Sequence, residues 1–122
     1  MTAPAARIVT AVAAGAFTLT AALPAQAGFS CSGTEPFWDL TVNRGIVLQH
    51  AGIDTTRYPK ASMKQVGTTK VYRARRAGQS PISVAVRVNG SCSDGMSDQT
   101  YPYEATVSVE GQPTLHGCCR KW

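Results

Sequence analysis

Ile82-Ser83-Val84-Ala85-Val86-Arg87-Val88 is the stretch that decides the fold class. Ile82, Val84, Val86 and Val88 share one face at period two, while Ser83, Ala85 and Arg87 share the other. That is the pattern of a strand with one face against a core. Asn89-Gly90 reads as its end. Working outward, Phe37-Trp38-Asp39-Leu40-Thr41-Val42 alternates in the same way, with Trp38, Leu40 and Val42 together. Asn43-Arg44-Gly45 is a turn signal, and Ile46–His50 makes a return strand and a hairpin. Thr69–Ala74, Tyr103–Val109 and Thr114–Cys119 complete the set, and Ala51–Ala61 reads as a connection with at most a short irregular strand. No helical period follows residue 27. The expectation is an all-β domain: a small antiparallel β-barrel or strongly curved sheet of six to eight short strands.

Residues 1–27 read as a secretory signal. Arg7 precedes an apolar stretch from Ile8 to Leu23, Pro24 breaks any helix, and Ala25-Gln26-Ala27 is a small-x-small cleavage pattern. The apolar stretch is shorter than the roughly 20 residues a spanning helix needs, so no transmembrane span is expected. Gly28-Phe29-Ser30 before Cys31 does not fit lipoprotein processing, which wants an aliphatic residue three before the cysteine. Cleavage leaves 28–122 as a single domain, periplasmic or secreted. Arg7 leaves with the signal, so the net charge falls from +5 to about +4. That balance suits anionic envelope surroundings and is too mild for a nucleic-acid partner.

Four cysteines, Cys31, Cys92, Cys118 and Cys119, in a short exported chain predict two disulfides. Three pairings exist. A bond between adjacent Cys118 and Cys119 would strain the peptide between them. On a strand the two point to opposite faces, so each should hold a different partner, one Cys31 and the other Cys92. Which holds which stays open. The alternative is a thiolate set with His116 for Cu(I) or Zn. The spacing fits no common zinc motif, and an oxidising compartment favours disulfides, so neither metal nor cofactor is assigned.

Two motifs stand out: Phe29-Ser-Cys31-Ser-Gly33-Thr-Glu35-Pro36-Phe37-Trp38 and Cys92-Ser-Asp94-Gly95-Met96-Ser97-Asp98-Gln-Thr-Tyr101-Pro102-Tyr103. With the closing Leu115-His-Gly117-Cys118-Cys119-Arg120, they resemble a family of uncharacterised bacterial envelope proteins and lipoproteins. Members are sometimes found beside META (heat-shock-lipoprotein-like) and lysozyme-inhibitor-like domains. The resemblance implies an exported bacterial protein and carries no catalytic residue across.

The segment Ser91–Tyr103 is the candidate binding loop, through Asp94, Met96, Ser97, Asp98, Tyr101 and Tyr103. A loop tethered by a disulfide is pre-organised, which lowers the entropy cost of binding. Its bland reading is a turn network of Asp and Ser side chains on local backbone. Asp94-x-x-x-Asp98 lacks the twelve-residue calcium-loop pattern. Glu35 and Trp38 are the second candidate pair, with Trp38 also expected in the core and Glu35 as a backbone cap or ion-pair partner. Lys70, Arg73, Arg75 and Arg76 form a basic stretch, read as a solvated edge strand or as a contact for anionic glycolipid or phosphate. His50 and His116 have no placed partners, and no nucleophile-elbow, zinc-helix or phosphate-loop motif occurs. The expected function is a non-enzymatic envelope binding module. Its partner would be a protein such as a cell-wall hydrolase, or an anionic glycan or lipid. The alternatives are a thiolate- or carboxylate-based metal carrier or enzyme, and a structural or stress-related envelope protein.

Overall fold

The computed structural model describes residues 28–50 and 54–122; the expected signal segment 1–27 lies outside the described residues. All regular structure there is β: β1 (Phe29–Thr34), β2 (Phe37–Val42), β3 (Ile46–His50), β4 (Thr55–Tyr58), β5 (Ser62–Val66), β6 (Thr69–Ala74), β7 (Ile82–Ser93), β8 (Thr100–Val109) and β9 (Leu115–Lys121). They form one sheet in the order β4-β3-β2-β1-β9-β8-β7-β6-β5. Every ladder is antiparallel. Two meanders, β1–β4 and β5–β8, are thus joined by the C-terminal strand β9, which pairs with β1 on one side and β8 on the other.

The sheet is strongly curled into a half-barrel. Phe29 on β1 and Tyr72 on β6 stand four strand spacings apart along the sheet, which is about 19 Å if flat. Their ring centroids are 6.3 Å apart, edge to face. Curling is what lets one set of alternating residues form a closed interior. That interior gathers Trp38, Leu40 and Val42 from β2, Ile46 and Leu48 from β3, Ile82, Val84 and Val86 from β7, and Ala105, Val107 and Val109 from β8. Each fully buried aliphatic side chain contributes on the order of 1.5–3 kcal/mol.

Two glycines shape the wall. A Cβ at Gly33 or at Gly117 would fall within the Trp38 indole, and at Gly117 it would also meet the Ser32 carbonyl. Trp38 is 2% exposed. Its ring therefore lies flat across β1 and β9, and the bare backbone at both positions makes room for it.

The edges lie at β4 and β5, which are consecutive in the chain. Tyr58 on β4 donates its hydroxyl to the Ser80 carbonyl at 2.6 Å, tying that edge to the β6–β7 loop. Burial raises the pKa of both Tyr58 and Tyr72 above the ordinary tyrosine value.

Nine strands replace the six to eight expected. β1 carries little apolar signal because its inward residues are Phe29, Cys31 and Gly33. β4 is a regular strand of four residues, where a connection with at most a short irregular strand was expected. β5 has every residue exposed, so no alternation marks it. β5 is also the true edge, so the basic segment in β6 is an interior strand, and Arg75 and Arg76 lie beyond its end. Asn89-Gly90 does not end β7. The chain bulges between Val88 and Cys92 and stays paired with β8 as far as Ser93.

Candidate functional site

The two disulfides are Cys31–Cys119 and Cys92–Cys118. Each of the adjacent cysteines holds a different distant segment, as strand alternation requires. Cys31 and Cys119 face each other across the β1–β9 ladder and belong to the interior cluster. Cys92 and Cys118 are buried outside that cluster, on the outer face. All four sulfurs are consumed, and no free cysteine is present for the thiolate reading. Among the described residues, no three His, Cys, Asp or Glu side chains gather as a metal site.

The Cys92–Cys118 bond folds the end of the β7–β8 hairpin back over the outer face of the sheet. Cys92 sits beside the Gly117 carbonyl on β9. Further along, the Thr34 hydroxyl at the end of β1 donates to the Asp94 carbonyl at 3.2 Å. The hairpin tip thus crosses β9 and rests on β1. Thr34 is paired with Phe37 at the start of β2, so the two sequence motifs meet at this spot. Glu35 and Pro36 form the turn between them.

Asp94 organises the tip. Its Oδ1 accepts the Met96 N–H at 2.8 Å, and its Oδ2 accepts the Tyr101 hydroxyl at 3.3 Å. The Ser93 and Ser97 hydroxyls accept the N–H groups of Gly95 and Gln99. Gly95 has φ +77°, a backbone conformation that glycine adopts without strain. The Arg120 guanidinium lies 5.0 Å from the Tyr101 ring centroid, closing the far side. This is the turn network of the bland reading, and it rigidifies the same segment that recognition would use.

The tip itself is open. Met96 is 64% exposed and Phe37 54%. Glu35 and Asp98, each two residues away in the chain from Phe37 and Met96 respectively, are exposed, as is Asp39 on the outer face of β2. The surface therefore presents apolar side chains set among carboxylates. Of the residues singled out from sequence, Asp94, Met96, Ser97, Asp98 and Tyr101 belong to this tip, and Glu35 directly follows Thr34, to which the tip is hydrogen-bonded. Trp38 lies inside the core, and Tyr103 packs edge to face on Phe29 at 5.0 Å, at the interior side. Thr34, Phe37 and Arg120 were not singled out. Their one signal was membership of the quoted motifs, since a hydroxyl that finds a carbonyl 60 residues away leaves no local pattern.

A separate polar cleft of about 490 Å³ opens between β3–β4 and the loops after β6 and β8, lined among others by His50, Tyr58, Gln79 and Gln112. The Nε2 atom of His50 is buried with no hydrogen-bond partner among the described residues. His116 lies exposed on the outer face of β9, opposite Thr106.

Compared with protein-family models, curated proteins and solved structures, the chain matches none.

Proposed function

We propose that this chain is an exported, non-enzymatic binding module of the bacterial envelope, and that the folded-back hairpin tip is its recognition surface. The observation that carries the reading is the exposed Met96 on a tip that three independent ties hold in place: the Cys92–Cys118 bond, the Thr34–Asp94 hydrogen bond and the Tyr101–Asp94 contact. A rigid tip loses little entropy on binding. The exposed Met96 on the tip and the exposed Phe37, paired with Thr34 at the strand end on which the tip rests, supply apolar contact area.

The chemistry of the tip favours a basic protein partner. Glu35, Asp39 and Asp98 would steer a cationic surface toward it, and Met96 with Phe37 would enter a cleft there. A cell-wall hydrolase, which must itself approach anionic polymer, is the specific version, in keeping with the family neighbourhood of lysozyme-inhibitor-like domains. Two disulfides suit an oxidising compartment. Among the described residues no helix is long and apolar enough to cross a membrane. Periplasm or medium is the location this reading requires.

The test is binding and inhibition of a lysozyme-type hydrolase by the oxidised protein, alongside a Met96→Asp variant and an Asp94→Ala, Asp98→Ala double variant. Salt-sensitive binding that both variants weaken at least tenfold is the expected result. Wild-type binding by both variants would remove the tip from the recognition surface. No binding or inhibition by any form would remove the hydrolase version.

A further inference from the structure

Charge is segregated along this chain. Eight of its twelve Lys and Arg residues lie between Asp54 and Asp94, and no Asp or Glu lies between those two positions. The structure concentrates part of that set at one edge of the half-barrel. Lys60, Lys64, Arg73 and Arg75 are all exposed on β5, β6 and the loops at their ends. Lys60, Ser62, Arg73 and Arg75 line one shallow depression of about 510 Å³. Met63, Lys64, Val66 and Val71 line a second, of about 480 Å³, and Ser62 and Arg73 belong to both, so the two are continuous. Among the described residues the ion pair of this half of the sheet joins Arg87 to Glu104 on β8, away from this edge.

We propose that this edge docks on an anionic phospholipid surface. The cations supply attraction to phosphate headgroups within a Debye length. A soluble polyanion would be served by the cations alone, yet β5 also carries Met63, 51% exposed, and Val66, 58% exposed. Apolar side chains interleaved with cations on one exposed edge match the interface between headgroup and acyl chain, where each kind of group finds its own medium. Lys64 and Val66 share the outer face of β5 with Arg73 of β6, and Met63, opposite Tyr72, projects from the other face of the same edge strand, so a surface that takes the edge itself meets both kinds of group. The proposal stands independently of what the tip recognises.

The experiment is co-sedimentation of the full oxidised protein with vesicles of phosphatidylglycerol and phosphatidylcholine in equal parts, against vesicles of phosphatidylcholine alone. Binding to the anionic vesicles at low salt, lost near about 0.3 M salt, is expected. Replacing three cations together (Lys60→Gln, Lys64→Gln, Arg73→Gln) should lower the partition coefficient on the order of 100-fold, at roughly fivefold per cation. A Met63→Ser, Val66→Ser variant should bind the vesicles several-fold less while binding soluble polyphosphate as the wild type does. All five side chains are exposed, and an unchanged melting temperature confirms that each variant is folded. Equal binding to neutral vesicles, no binding to anionic ones, or an unaffected triple variant would overturn the proposal. Vesicle binding that ignores Met63 and Val66 would also overturn it, in favour of a face for soluble polyanions.

Discussion

The indole of Trp38 on β2 fills the space where Gly117 on β9 would carry a side chain. Gly33, on the strand between them, is covered by the same ring. One aromatic residue therefore spans three strands, and the junction where β9 joins the two meanders depends on bare backbone at two positions.

Substituting alanine at Gly117 should destabilise the domain by about 1–3 kcal/mol or more, because the new methyl meets both the indole and the Ser32 carbonyl. Gly33→Ala should act similarly. Gly67, whose Cβ would meet nothing within 4 Å, serves as a control for space. Its positive φ of 62° leaves backbone strain alone as the cost of Gly67→Ala there. Urea denaturation of the three variants orders them; Gly117→Ala no less stable than Gly67→Ala would refute the packing argument.

The two disulfides should separate in their effects. Cys31–Cys119 spans 88 residues and Cys92–Cys118 spans 26, which the chain-entropy model converts to about 4.6 and about 3.5 kcal/mol. Removing the first bond also leaves a defect in the interior, so Cys31→Ala, Cys119→Ala should be the less stable pair. Cys92→Ala, Cys118→Ala should keep a folded core and lose the fixed hairpin. Thermal melts report the first difference, and amide exchange over residues 93–99 reports the second.

Asp94→Ala removes acceptors for the Met96 amide and the Tyr101 hydroxyl while leaving the core untouched. Global stability should fall by about 1 kcal/mol, the scale of a net hydrogen bond or two in a half-buried setting. The Met96 amide should exchange much faster with solvent. Protection of that amide as in the wild type would mean that Asp94 does not organise the tip.

Alkaline pH should weaken the fold. Burial raises the pKa of Tyr58 and Tyr72 in the folded state, so the folded protein holds these protons more tightly than the unfolded chain. Their contribution is complete below pH about 10 and is lost as pH climbs from there through the raised folded-state values. Tyr58→Phe should cost about 0.5–1.5 kcal/mol at neutral pH through the lost bond to Ser80. It should also flatten the alkaline decline. An alkaline limb of unchanged steepness in Tyr58→Phe would contradict the assignment to this residue.

The strands with a strong alternation were legible in advance. β2, β3 and β6 follow Phe37–Val42, Ile46–His50 and Thr69–Ala74 residue for residue. β1 was not, because Cys31 and Gly33 stand on its inward face in place of aliphatic residues. β5 was not, because an edge strand with both faces in solvent needs no apolar period. Within the candidate site, the tip residues from Asp94 to Tyr101 were legible as a tethered polar loop. Their junction with Thr34 and Phe37 was not, since it arises from a hairpin folding back over strands distant in sequence.

Residue order alone determined that the domain is all-β, that its four cysteines form two disulfides, and that Cys118 and Cys119 take different partners. Those follow from local periodicity and from the alternation of side chains along a strand, which act over a few residues. Only the tertiary structure decided which cysteine holds which, that β9 lies between β1 and β8, and that the bulged hairpin rests on Thr34. Those depend on register and curl, which are set by packing Trp38 against Gly33 and Gly117 and by closing Phe29 onto Tyr72. Long-range contacts of that kind leave no period in the chain for the sequence to display.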